Sequence, residues 1–240
     1  MNIFNGLNSF EVMLLILGVL FFLTLVLAFI VFVKRGRPFG KLFPFFAIPI
    51  LMIGFPSIKS IEFSKDMIKI EKYTRALEQN PTDKNLRDAL ASRLASVSGR
   101  PSVNPNVATT IARAQIVLGD NAAAEANVQK ALQAAPQLSA ALELKKRIEL
   151  DRNLATLTAQ AQQDPNNVAV RAELQRTVTE ATRQPIASPV TLINLAAAQV
   201  VIGDHAQARS NVDKALKIDP NSSAAKAVSN QIRATVIHPQ

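Results

Sequence analysis

The sequence of 240 residues contains no cysteine, no tryptophan, one tyrosine and two histidines. Without cysteine the chain has no disulfide, no thiolate metal ligand and no cysteine nucleophile, and this absence is compatible with an oxidising compartment. The GxSxG, GxxxxGKS/T and GxGxxG patterns of nucleophilic and phosphate-binding loops are also missing. These absences predict a protein that is not an enzyme.

Few side chains remain that could bind a metal ion. His205 follows a turn and His238 lies in the C-terminal tail, and neither has a second histidine or a carboxylate at a metal-ligand spacing. We interpret both histidines as solvent-exposed. The sequence predicts no metal, no cofactor and no small-molecule substrate.

The scarce aromatic residues are unevenly distributed. All twelve phenylalanines lie between Phe4 and Phe63, and Tyr73 is the only aromatic residue that follows them. The later part of the chain is built mainly of Ala, Leu, Val, Asn, Gln and charged residues. The two parts are therefore expected to be in contact with different solvents.

Residues 10–33 form an apolar run in which Glu11 is the only charged residue. At about 1.5 Å per residue, a helix of this length crosses the hydrocarbon core of a bilayer, which is about 30 Å thick. A cleaved signal peptide is the alternative, but residues 1–9 carry no basic side chain and no small-x-small cleavage pattern follows the run. The run predicts a membrane helix.

A second apolar run, 42–58, is near the short limit for a membrane span and contains Pro44, Pro49 and Pro56. Residues 34–41 between the runs (KRGRPFGK) carry four basic and no acidic side chains, so the positive-inside rule predicts a cytoplasmic loop. If 42–58 spans, the remainder of the chain lies outside the cytoplasm, which is the periplasm for a bacterial inner-membrane protein. If 42–58 does not span, the remainder is cytoplasmic.

The formal net charge of +9 does not indicate nucleic-acid binding. Residues 61–240 hold 22 basic and 17 acidic side chains and almost no aromatic residue that could stack on bases. The basic triplet Lys145-Lys146-Arg147 is interpreted as part of a solvated helix face. We therefore predict no nucleic-acid partner.

The chain repeats itself at an offset of 84 residues. Between 105–148 and 189–232, 19 of 44 positions are identical, and the register extends upstream to about 66–148 and 150–232. Proline, glycine and asparagine punctuate each copy into four helices, and a ninth helix, about 222–234, follows the second copy. The helices of the first copy are expected to end at Asn80-Pro81, at 98–101, at Gly119-Asp120 and before Pro136, and those of the second at Asp164-Pro165, at 183–185, at Gly203-Asp204 and at Asp219-Pro220. Repetition on this scale predicts an α-solenoid.

Small residues recur at the same spacing in both copies. Closely crossing helices need such residues at their contact, and glycine permits a left-handed turn between them. The recurring residues are Ala112, Gly119, Ala124, Ala131 and Pro136 in the first copy, and Ala196, Gly203, Ala208, Ala215 and Pro220 in the second.

This spacing resembles the tetratricopeptide repeat, a helix-turn-helix unit. Residues 105–138 match through Ile111-Ala112, Gly119-Asp120, Lys130-Ala131-Leu132 and Pro136, and 189–222 match through the equivalent residues. The large aromatic residues of the family are absent, since Leu192, Gln199 and Val212 stand in their places. The pairs 66–98 and 138–182 retain only fragments of the pattern.

The resemblance implies a concave surface, lined by the first helix of each pair, that binds a protein segment. A mainly apolar segment held by side-chain amides would suit the mixed character of the positions that face inward in the family register. An equally weighted alternative is that the apolar members pack against adjacent helices. Only Arg113 and Asn194 match the carboxylate clamp of some family members, so recognition of acidic C-termini is not implied. The predicted groove residues are Asn106, Thr109, Thr110, Arg113, Ile116, Val190, Ile193, Asn194, Ala197 and Val200.

Together these patterns predict an all-α protein with three regions. They are a transmembrane hairpin anchor in 1–60, a first repeat unit in 61–148, and a second unit in 149–240 with a C-terminal capping helix. The predicted function is a membrane-anchored scaffold that binds a protein partner during assembly of an envelope complex. One alternative is an apoprotein chaperone, since the anchor-plus-repeat architecture resembles cytochrome c maturation factors. Another is a structural subunit that uses its hairpin as the main contact.

Overall fold

The computed structural model describes residues 7–35, 40–100, 104–184 and 188–237, without the side chains of 40–42 and 235–237. These residues form ten α-helices and one 3-10 helix and contain no strand, which confirms the all-α prediction for this part of the chain. The helices are α1 (Ser9–Lys34), a 3-10 helix (Gly40–Phe46), α2 (Ala47–Gln79), α3 (Lys84–Ser98), α4 (Pro105–Leu118), α5 (Asn121–Ala134), α6 (Ser139–Gln163), α7 (Val168–Thr182), α8 (Pro189–Ile202), α9 (His205–Ile218) and α10 (Ser223–Ile237).

The chain divides into two compact units. The first, which we call the anchor unit, comprises 1–68 and 95–104, and the second, the helical unit, comprises 69–94 and 105–240. Two helices, α1 and the helix that includes α2, are long and apolar enough to cross a membrane by length and composition.

Within the anchor unit, α1 lies antiparallel to the 3-10 helix and the start of α2. The ring centroids of Phe29 and Phe43 are 6.4 Å apart, and those of Phe22 and Phe46 are 5.8 Å apart. Nearer its beginning, α1 approaches Met52 through Gly18, and Glu11 forms an ion pair with Lys59. Contacts nearer the beginning of α1 thus involve residues later in the sequence of the 3-10 helix and α2, which shows that the two segments run antiparallel. The two apolar segments lie side by side over most of the length of α1.

The contact face of α1 follows a seven-residue spacing, since Glu11, Gly18 and Leu25 are its buried residues. This spacing is typical of helices that pack nearly parallel or antiparallel. A Cβ atom added at Gly18 would lie 2.9 Å from the Cβ of Met52 and 3.0 Å from Cγ1 of Ile53. Glycine is therefore required here for the close approach of the two helices.

Helix α2 does not end where the sequence suggested. Most of the predicted span 42–58 and the predicted helix that ends at Asn80 belong to one helix, α2, which continues to Gln79. The predicted boundary at residue 60 therefore falls inside this helix. No glycine or proline occurs between Ser57 and Gln79, and Phe63, Ile70 and Leu77 are buried at intervals of seven residues. With no helix-breaking residue and a continuous buried face, the helix continues.

The helical unit contains two helix pairs, α4–α5 and α8–α9, with matching turns. Gly119 and Gly203 have φ angles of 94° and 89°, in the left-handed region that favours glycine. The aspartate that follows each glycine caps the next helix, since Oδ1 of Asp120 accepts from the amide of Ala123 and Oδ1 of Asp204 from that of Gln207. The repeated Gly-Asp pair therefore ends one helix and begins the next.

The small residues predicted at the helix contacts are completely buried, which agrees with close helix crossing. Each of the following is 0 % exposed: Ala112, Ala124 and Ala131 in the first pair, and Ala196, Ala208 and Ala215 in the second.

Two polar contacts also occur in both pairs at an offset of 84 residues. Nδ2 of Asn127 donates to Oε1 of Gln115 at 2.8 Å, and Nδ2 of Asn211 donates to Oε1 of Gln199 at 2.8 Å. Preceding each pair, an arginine donates through Nη2 to the carbonyl in the last turn of the first helix: Arg87 to Val117 at 2.9 Å, and Arg171 to Val201 at 3.0 Å. A cation at a helix C-terminus is stabilising.

Helix α6 contributes to both halves of the helical unit. Leu144 and Ile148 pack with Ala112, Ile116 and Val128 of α4 and α5. Further along, α6 contributes Leu150, Leu154 and Ala161 to a cluster with side chains of α7 and α8, among them Leu174 and Leu195. The predicted boundary at 148/149 therefore lies inside a continuous helix, in which no glycine or proline marks a break.

Candidate functional site

A cavity of about 680 Å³ opens within the helical unit among α2, α4, α6 and α7. Such a volume is in the range of ligand-binding pockets. Its lining residues are Glu71, Thr74 and Glu78 of α2; Asn106, Thr109, Thr110 and Arg113 of α4; Ala140, Glu143, Leu144, Lys146 and Arg147 of α6; and Glu180 and Gln184 at the end of α7.

Four predicted groove residues line this cavity together. Asn106, Thr109, Thr110 and Arg113 are spaced three and four apart on α4, so they share one helix face, and all four belong to the lining. The first of the two predicted residue groups therefore lies on one wall of this cavity.

The predicted apolar groove positions pack inside the protein instead. Ile116 is 1 % exposed and lies in the α4–α5–α6 cluster, and Val200 is 6 % exposed and packs with α9 and α10. Ile193 is partly buried against Leu216. Ile116 and Val200 therefore fit the packing alternative that the sequence left open, because a side chain buried to this extent presents almost no surface to a ligand.

The other predicted positions of α8 do not belong to the cavity. Val190, Asn194 and Ala197 are partly buried, and none of them is among its lining residues. Arg113 and Asn194 are thus not brought together in this cavity, as a carboxylate clamp would require.

An ion pair across the cavity wall occupies Arg113. Its Nε and Nη2 atoms donate to Oε1 and Oε2 of Glu78 at 2.8 and 2.5 Å. These hydrogen bonds raise the pKa of Arg113, against the opposing effect of its burial. The side of the guanidinium formed by Nε and Nη2 therefore already holds a carboxylate, and the charge of Arg113 is compensated within the cavity wall.

Helix α6 carries two further charged groups one turn apart, Arg147 and Asp151. Burial lowers the pKa of Arg147, while the nearby carboxylates of Glu78 and Asp151 act in the opposite direction. Asp151 is 4 % exposed, and burial raises the pKa of its carboxyl group although Thr191 and Asn121 donate hydrogen bonds to Oδ2 at 2.6 and 3.2 Å. Asp151 therefore connects the first turns of α5 and α8 through a desolvated carboxylate.

The threonines of the lining present acceptors rather than donors. The hydroxyls of Thr74, Thr109 and Thr110 donate to the carbonyls of Ile70, Pro105 and Asn106 in their own helices, at 2.8, 2.8 and 3.0 Å. Each hydroxyl proton is therefore engaged. Thr74 and Thr109 are only 2 % and 8 % exposed, so of the three oxygens only that of the partly exposed Thr110 is presented to a ligand. A ligand that supplies an N–H donor would satisfy this oxygen.

Charged side chains predominate in the lining, whereas the predicted groove positions were of mixed character and suited a mainly apolar segment. Four carboxylates and three cationic side chains line the cavity, against two apolar residues, Ala140 and Leu144. Glu143 and Glu180 are exposed, and neither belongs to an ion pair within the described part of the chain. The cavity therefore has acidic groups with unused acceptor capacity.

Sequence reasoning missed the contribution of α6 and α7. The triplet 145–147 was assigned to one solvated face, but successive residues of a helix point about 100° apart, and only Lys146 and Arg147 line the cavity. Glu180 and Gln184 come from a helix distant in sequence. No local spacing indicates that contact, which depends on how α6 packs against α7.

Comparisons with protein-family models, curated proteins and solved structures give no match. The resemblance to the tetratricopeptide repeat accordingly rests on the quoted residues of this sequence.

The histidines do not extend this site. His205 is partly buried instead of exposed, and its Nδ1 is buried without a hydrogen-bond partner among the described residues. His238 lies outside the described residues. Within the described ranges, no group of three or more histidine and carboxylate side chains could hold a metal ion.

Proposed function

We propose that this chain is a membrane-anchored helical-repeat scaffold that binds a segment of a partner protein in the cavity among α2, α4, α6 and α7. The observation that carries the proposal is the cavity of about 680 Å³, in which four groove residues of the repeat register lie on one wall. A concave surface with several convergent polar groups is the usual form of a binding site.

The anchor unit supports a hairpin that crosses the membrane twice. Its helices pair along most of α1, from Phe29 and Phe43 at one end to Glu11 and Lys59 at the other, so a bilayer that covers one segment covers the other. Their outward side chains are large and apolar, for example Leu20, Leu27 and Leu51. With the basic loop 34–41 in the cytoplasm, the helical unit lies on the outer side of the membrane, the periplasm for a bacterial inner membrane.

Equivalent contacts support a duplicated repeat. The Gln115–Asn127 and Gln199–Asn211 bonds, the two left-handed glycines and the two arginine-to-carbonyl bonds all recur at an offset of 84 residues. Repeats that pack on their neighbours in this way form solenoids of the tetratricopeptide type.

The chemistry of the cavity favours a segment rich in hydrogen-bond donors. The exposed carboxylates of Glu143 and Glu180 and the oxygen of the partly exposed Thr110 are available as acceptors, whereas Arg113 is paired with Glu78. The segment that fits best carries a lysine or arginine side chain directed at these carboxylates, with a backbone amide directed at the oxygen of Thr110.

Site-specific photo-cross-linking in native membranes tests this function. A photoreactive residue replaces Glu180 in the cavity or, as the matched control, Arg176, which lies one turn earlier on α7 outside the lining. We expect a cross-linked partner protein from position 180 and not from position 176. Equal cross-linking from both positions, or none from either, would contradict binding in the cavity.

The same experiment separates the two protein-binding roles. A photoreactive residue in place of Phe10, which is 68 % exposed on α1, reports contacts of the hairpin. A protein captured there but not at position 180 would favour the structural-subunit alternative over the scaffold.

A further inference from the structure

Two grooves of the helical unit occupy equivalent positions in its two halves. One lies between α5 and α6 and has a volume of about 330 Å³, and the other lies between α9 and α10 and has a volume of about 190 Å³. All six residues of the second groove match residues of the first at an offset of 84. The second groove is lined by Arg209, Val212, Asp213, Ser229, Ile232 and Arg233, the first by their counterparts Glu125, Val128, Gln129, Lys145, Ile148 and Glu149.

The floors of the two grooves are identical, whereas their rims carry opposite charge. A valine and an isoleucine form each floor, and all four are at most 6 % exposed. The first rim has two carboxylates and one ammonium group, and the second has two guanidinium groups and one carboxylate. Shared packing therefore fixes the floor, and the rim determines which ligand charge each groove favours.

Among the described residues, the acidic groups of the first rim are paired with cations, whereas the arginines of the second rim are not. Glu125 forms an ion pair with Arg152 at 2.6 Å, and Glu149 pairs with Lys145 at 3.7 Å. Arg209 and Arg233 of the second groove are exposed, and neither takes part in an ion pair or side-chain hydrogen bond within the described residues. Asp213 of the same rim pairs with neither arginine among the described residues, so both guanidinium groups are available to carboxylates of another molecule.

We propose that the groove between α9 and α10 binds an acidic segment of a partner protein, whose carboxylates pair with Arg209 and Arg233 beside an apolar side chain on Val212 and Ile232. A volume of about 190 Å³ is below the roughly 300 Å³ at which small-molecule pockets begin, so the groove holds a side chain of a longer chain. Guanidinium groups bind carboxylates by two parallel hydrogen bonds. This site uses other helices than the charged cavity and does not depend on the function proposed for it.

The test uses the full-length chain in phosphatidylcholine nanodiscs and a fluorescent peptide with a central Glu-Leu-Glu, with a Lys-Leu-Lys peptide as control. The variant Arg209→Glu with Arg233→Glu should weaken binding of the acidic peptide by at least about tenfold, equivalent to about 1.4 kcal/mol. In the matched variant, Glu125→Arg with Glu149→Arg, the first groove receives the arginines of the second on the same floor. It should gain a second site for the acidic peptide.

Three results would overturn the proposal. The first is acidic-peptide binding that survives the change of Arg209 and Arg233 in a variant with an unchanged circular-dichroism melt. The second is equal binding of both peptides. The third is no acidic-peptide binding together with Arg209- and Arg233-dependent association with phosphatidylglycerol vesicles, which would assign these arginines to a lipid surface. Absence of cross-linking from position 180 in the cavity among α2, α4, α6 and α7 would not change the peptide-binding or vesicle measurements. The two proposals can therefore fail independently.

Discussion

The helix pairs α4–α5 and α8–α9 share their turns, buried alanines and glutamine–asparagine bonds, yet only the first lines the charged cavity. The shared positions are the buried ones: Ala112, Ala124 and Ala131 match Ala196, Ala208 and Ala215, all 0 % exposed. The cavity positions differ, since Asn106, Thr109, Thr110 and Arg113 correspond to Val190, Ile193, Asn194 and Ala197. The repeated residues therefore maintain the packing, and the residues that changed determine what each surface presents.

Overpacking the shared alanines should have the largest effect on stability. Leucine at position 124 or 208 places a larger side chain in a contact where alanine is completely buried, so each variant should lower the free energy of unfolding by about 1–3 kcal/mol. Thermal melts of the full-length variants in detergent measure the effect. Ala122→Leu, at an exposed position of α5, is the control. An unchanged melt for either buried variant would refute the close helix crossing.

The two turn glycines should differ in their tolerance of alanine. Both have positive φ angles, which cost a non-glycine residue roughly 1–2 kcal/mol. A Cβ atom at position 119 would also lie 3.1 Å from Cγ of Pro189, whereas nothing lies within 4 Å at position 203. We expect Gly119→Ala to destabilise the protein more than Gly203→Ala in urea unfolding. Equal destabilisation would show that the contact with Pro189 relaxes without cost, and the reverse order would contradict the prediction.

The two arginines that bind helix ends should also differ. Arg87 is 9 % exposed, so Arg87→Met leaves the carbonyl of Val117 without a buried charged partner and should cost about 1.5 kcal/mol. Arg171 is exposed, and Arg171→Met should cost about 0.5 kcal/mol because water replaces the lost bond. Equal costs in urea unfolding would mean that burial does not distinguish these bonds.

Asp151, which connects the two helix pairs, should give the smallest effect, and that effect should depend on pH. Burial raises the pKa of Asp151 in the folded state. At pH values between the pKa of the unfolded chain and that of the folded protein, the folded protein therefore keeps a proton that the unfolded chain has lost. Stability from this group therefore falls as pH rises from the unfolded pKa through the folded pKa. Arg147, Thr191 and Asn121 face the carboxylate and limit the shift.

Replacement of Asp151 by asparagine keeps an oxygen acceptor for Thr191 and Asn121 and removes the titration. Unfolding free energies of both proteins, measured at a series of pH values, should diverge across this window, with the variant gaining relative to the parent as pH rises. Parallel curves would place the folded pKa at its ordinary value.

The sequence predicted most helix ends, because proline, glycine and asparagine or aspartate next to one another end a helix locally. Asn80-Pro81, Gly119-Asp120, Gly203-Asp204 and Asp219-Pro220 each follow a helix that ends at or within one residue of the expected place. Helix α2 was predicted as shorter pieces, and a unit boundary was predicted inside α6, because boundaries were placed where the apolar character or the repeat changed. Neither change breaks a helix in the absence of glycine or proline.

The candidate site could be predicted only in part. Its α4 wall follows from family register, since residues three and four apart share a face. Its α6 and α7 walls depend on tertiary packing. Nothing in the sequence around Glu143 or Glu180 indicates that these two residues line the same cavity. Apolar positions such as Ile116 and Val200 were ambiguous, because a groove and a core use the same residue types.

Helix α6 packs one stretch against each helix pair, so neither pair has a complete apolar core of its own. Removal of α4 and α5 would expose Leu144 and Ile148, and removal of α8 would expose Leu150 and Leu154. The two pairs are therefore expected to unfold in one cooperative step and not as separable modules.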